Sequence, residues 1–362
     1  MWNVDASQSS ISFFMSPNPT PQSGRNATLD VLRGLASLAV CWFHLTNGNV
    51  HFLPDGLLKA SGAYGWLGVD VFFVISGFII PFALSRADYH VGDYPIFLLK
   101  RVLRLDPPYL VAIGVIIGLG YLSSATPGFQ GQKFNVSLPQ LLSHLGYANA
   151  FLHYQWLSPV FWTLAIEVQY YLLVGLFFPL LADRNRWRVS ALMLPALILP
   201  FLIPQRYYIF HWLFLFMMGI ATFRFRRELI SLRSYLVILG LLAACTVATD
   251  DIPVAATAMV TACIIAFTQW SKAPAVLLFL GHISYSLYLL HVPVGGRVIN
   301  LGLRLGSNMF VKALVLSIAL AASIAAAWAL HRWVELPAQK WSSARGYRRR
   351  KIAASGFAPQ NG

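Results

Sequence analysis

"LDVLRGLASLAVCWFHL", residues 29–45, is apolar enough to cross a membrane, yet it carries Arg33 near its start and His44 near its end. Ionisable side chains are costly in hydrocarbon and are kept there with a partner or a task. Eleven residues separate the two, so a helix sets them roughly 16 Å apart along its axis and about 20° apart around it. One face therefore shows a cation at one depth and an imidazole about half a bilayer away.

The rest of the chain shares this apolar character. Its 362 residues are 57% hydrophobic and 11% charged, with a mean hydropathy of +0.62. Soluble domains carry about 25% charged residues, so the sequence reads as an integral membrane protein. Apolar runs of about 17–20 residues recur, which predicts an all-α, polytopic bundle rather than a barrel of alternating strands. Ten spans are expected, at about 29–48, 65–84, 108–124, 160–181, 187–203, 208–223, 235–249, 252–270, 275–295 and 311–334. Residues 1–27 read as a flexible cytoplasmic tail without a signal peptide, 28–340 as the transmembrane region, and 341–362 as a basic cytoplasmic tail.

The net charge of +14 does not point to nucleic acid, because the basic residues are divided by sidedness. With the N-terminus in the cytoplasm, twenty of the 27 Lys and Arg fall in cytoplasmic segments and six in outer ones, Arg33 lying within a span. Cytoplasmic loops carry the excess of cations in multi-pass proteins, so both termini are expected inside. Arg33 then lies near the cytoplasmic face and His44 in the outer half. Cys41, Cys245 and Cys263 fall inside apolar runs and read as small buried hydrophobes, with neither disulfide nor metal-ligand spacing. No permanently bound cofactor is expected.

The other polar residues of the spans fall at two depths. Asp70, in "GWLGVDVFFVISGFII", is expected in the outer half, either as a site carboxylate or as an acid at a helix start, where the macrodipole favours it. Ser76 and Gly77 follow near mid-span, where small residues also let helices approach closely. Glu167, in "FWTLAIEVQYYLL", is expected about 10 Å from the outer end, with Thr163, Tyr170 and Tyr171 on its face. A carboxylate at that depth is hydrogen-bonded or paired, and marks function. His291 ends "GHISYSLYLLH" at the depth expected for His44, sharing a stripe with Ser284 and Tyr288, whereas His282 reads as structural. On the cytoplasmic side, "IFLLKRVLRLDPPY" winds into a helix that clusters Lys100, Arg101 and Arg104. That face suits anionic lipid or a phosphorylated ligand, and the two readings are compatible. Pro107 and Pro108 are expected to end this helix before the third span.

An imidazole beside a carboxylate is the arrangement needed for general base catalysis. The outer cluster of His44, Asp70, Glu167 and His291 is therefore expected to work on a ligand whose phosphates sit on Arg33 and the Lys100/Arg101/Arg104 surface. Such a donor would span the distance between Arg33 and His44.

These same residues carry a family likeness. "LRGLASLAVCWFH" resembles the Arg-x10-His signature of the acyltransferase 3 family, bacterial membrane enzymes that O-acylate cell-surface and secreted carbohydrates. "GVDVFFVISGFII" resembles its Phe-Phe-x-x-Ser-Gly-Phe segment, "KRVLRLDP" its Arg-x-x-Arg-x-x-Pro stretch, "FWTLAIEVQYY" its Trp-x-Leu-x-x-Glu stretch and "ISYSLYLLH" its late Ser-Tyr…His element. The likeness runs in order from residue 28 to about 340. It implies an acyl-CoA co-substrate, usually acetyl-CoA, bound from the cytoplasm, with Arg33 needed for donor use or site integrity; Lys100, Arg101, Arg104 and Ser76 are expected at the donor with it. It also implies His44 as base; Glu167 and Asp70 are expected to support it, with Trp162, Tyr171 and His291 on the acceptor side or supporting the site. Transfer to a carbohydrate hydroxyl would follow, directly or through an acyl-His44 intermediate, in the bacterial inner membrane. Many relatives append an extracytoplasmic hydrolase-like domain; none is expected here, so a polysaccharide-assembly partner would supply any second step.

The long, aromatic outer loop 125–158 suits sugar rings and equally an interfacial helix anchored by Trp and Tyr. A transporter or flippase of lipid-linked glycans, with His44 and Glu167 relaying protons, is the competing reading, as is a protein that only binds acyl-CoA. No inverted repeat or pair of broken helices favours transport.

Overall fold

The computed structural model describes residues 26–126, 133–306 and 308–347. The expected tails lie largely outside this range. The described residues are helical throughout their ordered elements, without a strand. In chain order the helices are α1 (Ala27–Asn47), the short α2 (Leu57–Ala60), α3 (Gly68–Arg86), α4 (Tyr94–Ala125), α5 (Leu138–Leu145), α6 (Phe161–Leu181) and α7 (Arg186–Leu202). There follow α8 (Ile209–Arg226), α9 (Leu232–Thr249), α10 (Ile252–Phe267), α11 (Ala275–Leu290), α12 (Gly296–Gly302), α13 (Met309–Leu330) and α14 (Leu336–Ala344). Five-residue π-helical turns, His291–Gly295 and His331–Glu335, join α11 to α12 and α13 to α14. Eight helical segments among the described residues are long and apolar enough to cross a membrane, and α10 is apolar but shorter. The protein is a multi-pass membrane bundle.

Caps explain where several helices begin. Asn26, Ser137, Asn185, Ser231, Asp251 and Asn308 each accept an otherwise orphaned N–H of the first turn. Pro107 and Pro108 do not break the chain as expected: α4 runs through them, and Tyr285 of α11 donates to the Leu105 carbonyl at 2.9 Å. The carbonyls these prolines leave without an in-helix donor are those of Leu103 and Arg104, while Leu105 lies one residue further on. The basic stretch and the third span are therefore one helix of 32 residues.

Two close crossings hold the bundle. A Cβ on Gly34 of α1 would stand 2.7 Å from the Gly281 amide nitrogen of α11, and one on Gly281 would press on the Asp30 carbonyl. Gly77 of α3 and Gly219 of α8 meet in the same way. Without a hydrophobic force between helices in lipid, such small-residue contacts carry the association. Replacing Gly281 by valine should therefore lower stability by about 3 kcal/mol through overpacking, read as a lowered melting temperature of the detergent-solubilised chain. Gly240→Ala, where nothing lies within 4 Å, should leave it unchanged.

One departure from regular spans sets the height of everything that follows. After α4 the chain turns back, and Phe134 packs edge-on to Tyr121 at 5.3 Å. Tyr147 then stacks on Tyr109 at 5.0 Å and donates to Asp106 at 2.9 Å. The segment has by that point descended along α4 by roughly 17 Å. Its helix α5 turns Leu138, Leu142 and Leu145 outward, spaced i, i+4 and i+7. The next helix, α6, starts at this depth, with Phe161 edge-on to Tyr109 at 4.8 Å.

Candidate active site

Helix α1 lines a cleft at each end. Towards its N-terminus, a cleft of about 150 Å³ is bounded by Arg33, Ser76, Arg101, Arg104, Glu167 and Tyr171, with an aromatic and aliphatic wall that includes Tyr288. Glu167 accepts a hydrogen bond from the Ser76 hydroxyl at 3.0 Å and another from Tyr171. The Arg101 guanidinium lies 5.3 Å from the centres of both the Phe97 and Tyr171 rings, a cation–π placement that fixes its plane. Arg33 and Arg101 each keep a buried Nε without a hydrogen-bond partner.

The same three arginines also line a vestibule of about 730 Å³, to which Arg86, Lys100, Lys340 and Glu335 contribute. Lys100 donates to the Arg345 carbonyl at 2.8 Å and stands over the Tyr347 ring at 4.6 Å. The cations of α4 thus face the vestibule while Leu99 and Val102 point outward. Glu335, in the second π-helical turn, is buried and accepts from Ser286 at 2.7 Å, His331 at 3.0 Å and Gln339 at 2.9 Å. It was not singled out in the sequence, because the π-helical turn that carries it leaves no mark on a 3.6-residue pattern.

At the other end of α1, His44 lines a cleft of about 340 Å³ with His291. The His291 Nδ1 lies 2.9 Å from the Leu287 carbonyl, and the His44 Nδ1 lies 2.9 Å from the Val40 carbonyl. Carbonyl oxygens only accept, so both Nδ1 atoms carry the proton of the neutral ring. The bare Nε2 of His291 then faces the His44 Nδ1–H at 3.2 Å. His44 is left with Nε2 as its basic nitrogen, oriented by His291.

Several expected groupings change. Glu167 does not join His44: it lies in the Arg33 cleft, because α6 begins at the level of Tyr109 rather than at the end of α4. Asp70 does not face His44 either. It is buried on the α8 and α10 side, where the charged groups acting on it are Asp250, Asp251 and Arg206. Asp70→Asn should therefore keep activity within about threefold of wild type, less than 1 kcal/mol of barrier, in any acyl-transfer assay. Trp162 packs against Trp212 at 5.2 Å and Phe73 at 6.4 Å, away from both clefts. Tyr171 belongs to the Arg33 cleft rather than to the far one. Ser76 lines the cleft and donates to Glu167, while its neighbour Gly77 makes the crossing with α8.

A family model described as an acyltransferase domain matches residues 26–332. The chain belongs to this acyltransferase family. Among curated relatives, O-acetyltransferase OatA of Staphylococcus aureus is 31% identical over 179 residues, 47% of this chain and 28% of its own. A protein provisionally named an acetyltransferase, from the Acidianus two-tailed virus, is 30% identical over 205 residues, 54% of each chain. This acyltransferase chain thus spans about half the length of one curated relative and under a third of the other. No solved structure matches it.

Proposed function

We propose that the protein is a membrane O-acyltransferase that moves an acyl group, most simply acetyl, from acyl-CoA at the Arg33 end to a carbohydrate hydroxyl at the His44 end. The observation that carries this reading is the double engagement of α1: its guanidinium lines a cationic vestibule, and its imidazole lines a separate cleft about 16 Å away. Guanidinium forks match phosphate oxygens, and Arg33, Arg101 and Arg104 converge where the phosphates of a CoA would lie. The acyl-bearing arm then runs along α1 past Tyr288. That ring lines the donor cleft, donates to or accepts from Thr163 at 2.7 Å, and lies 6.0 Å from the His291 ring.

In the reaction, His44 Nε2 takes the proton of the acceptor hydroxyl as the oxygen attacks the thioester carbonyl. The carbon–sulfur bond breaks, and the proton on the imidazolium returns to the departing thiolate. His291 keeps the His44 ring turned by accepting its Nδ1–H, the orienting part that a carboxylate plays elsewhere. With the cation-rich Arg33 end in the cytoplasm, acyl-CoA is drawn from the cell interior and the ester forms on the far side of the membrane.

The test is the chain reconstituted in liposomes with radiolabelled acetyl-CoA and surface glycan from its source. Label on the glycan, lost in His44→Gln, is expected. Translocation of unlabelled glycan would replace this reading by transport, and CoA binding without either event would leave a binding protein.

A further inference from the structure

The His44 cleft holds a cation that the chemistry above does not use. Arg297, on α12, lines it together with Asn49, Ser158 and Asn300, and no Asp or Glu lines it. The remaining wall is largely aliphatic, from Ile116, Leu119 and Leu157. Three other cations away from the vestibule meet acids: Lys59 meets Asp55 at 2.8 Å, Arg188 meets Asp183 at 3.2 Å and Arg206 meets Asp250 at 3.4 Å. Arg297 has no acid within ion-pair distance among the described residues. A half-buried guanidinium in an otherwise uncharged cleft is costly unless an anion joins it.

A second group in the same cleft is also unsatisfied. Ser158 is 1% exposed, and its hydroxyl has no hydrogen-bond partner. Buried hydroxyls are nearly always paired, and this one belongs to the cleft wall. Asn49 and Asn300, by contrast, are bonded to each other at 3.0 Å and hold the rim closed beside Arg297.

We infer that the acceptor bound beside His44 is an anionic sugar, its carboxylate or phosphate held by Arg297 and a neutral oxygen of the same unit by Ser158. This rests on the His44 cleft being the acceptor site. Held by its charge at Arg297, the sugar would present a neighbouring hydroxyl to His44 Nε2, and a neutral sugar would leave the guanidinium desolvated and unpaired. Such a site discriminates, because the wrong ligand leaves a half-buried charge unpaired in the cleft. The outward-facing leucines of α5 put lipid close to this part of the bundle, so a phospholipid headgroup is the other source of the same anion.

Two measurements test the inference. The first compares glycans of the source strain with and without the gene by mass spectrometry and NMR. The ester that disappears is expected on a sugar unit bearing a carboxylate or phosphate. Loss from an uncharged unit overturns the inference and leaves the acyltransferase reading standing, whereas loss from no glycan removes that reading too. The second uses the full chain in liposomes with acetyl-CoA and the de-esterified glycan. Arg297→Gln should raise KM for the glycan at least tenfold, Arg297→Lys should recover part of the loss, and KM for acetyl-CoA should not move. Ser158→Ala should raise the glycan KM by a few-fold. An unmoved glycan KM in Arg297→Gln overturns the inference, and activity of the wild type that tracks anionic lipid content instead assigns Arg297 to a headgroup.

Discussion

Replacing His44 by glutamine should lower acyl transfer by about 10²- to 10⁴-fold, the usual contribution of a positioned general base, while leaving CoA binding and the melting temperature intact. The fold is expected to survive because the His44 ring lines an open cleft and packs edge-on to Phe43 at 5.1 Å rather than filling a sealed core. Donor binding is expected to survive because Arg33 lies about 16 Å away along α1, in a separate cleft that Arg101 and Arg104 also line. The partner makes the prediction sharper. His291→Gln keeps an amide oxygen that can accept the His44 Nδ1–H now taken by His291 Nε2, and should retain a tenth of the activity or more. His291→Leu leaves only the Val40 carbonyl to hold that N–H and should fall below it. Initial rates with saturating acetyl-CoA and glycan distinguish these outcomes, with donor KM as the control. Activity of His44→Gln within tenfold of wild type would mean that the imidazole is not the base.

The sequence was most informative where a single helix carries the meaning. Arg33 and His44 sit on α1 at the separation their spacing requires, and a helical bundle follows from the apolar runs alone. Depth was misread where it depended on where a neighbouring helix begins. Glu167 was counted from the outer end of its span, a distance correct along α6 itself. Because residues 133–160 descend along α4, however, α6 starts low, and the carboxylate meets Ser76 and Tyr171 beside Arg33 instead of His44. No local pattern announces that descent, since α5 is eight residues long and reads equally as an interfacial helix. Asp70 and Trp162 failed for a related reason. Neighbours on one strip of sequence, Asp70 and Ser76 or Trp162 and Glu167, leave the helix in different directions, and only the packed partners decide which direction is the site. The π-helical turns at His291 and Glu335 lay beyond a 3.6-residue reading, and both carry residues that line the clefts.

Arg33→Gln should raise KM for acetyl-CoA by about 10²-fold, equivalent to 2.7 kcal/mol of binding, with the KM for the glycan unchanged. The guanidinium lines both the inner cleft and the vestibule, so a ligand in either space meets it. Its buried Nε lacks a partner, while Glu335, Glu167 and Asp30 favour its charge and Arg104 opposes it. Truncating one member of a buried charged set costs about 2–5 kcal/mol or more, largely as the penalty of the charge left behind. Here that residue is Glu335, and Ser286, His331 and Gln339 already hold its carboxylate. The variant should therefore fold, and the loss should fall on the ligand. Arg33→Lys restores the charge but not the planar fork, and is expected to recover only part of the affinity. Equilibrium dialysis of radiolabelled CoA against the purified variants measures this without requiring turnover. If CoA bound Arg33→Gln as tightly as wild type, Arg33 would be serving Glu335 and Glu167 within the bundle, and phosphate recognition would rest on Arg101, Arg104 and Lys340 alone.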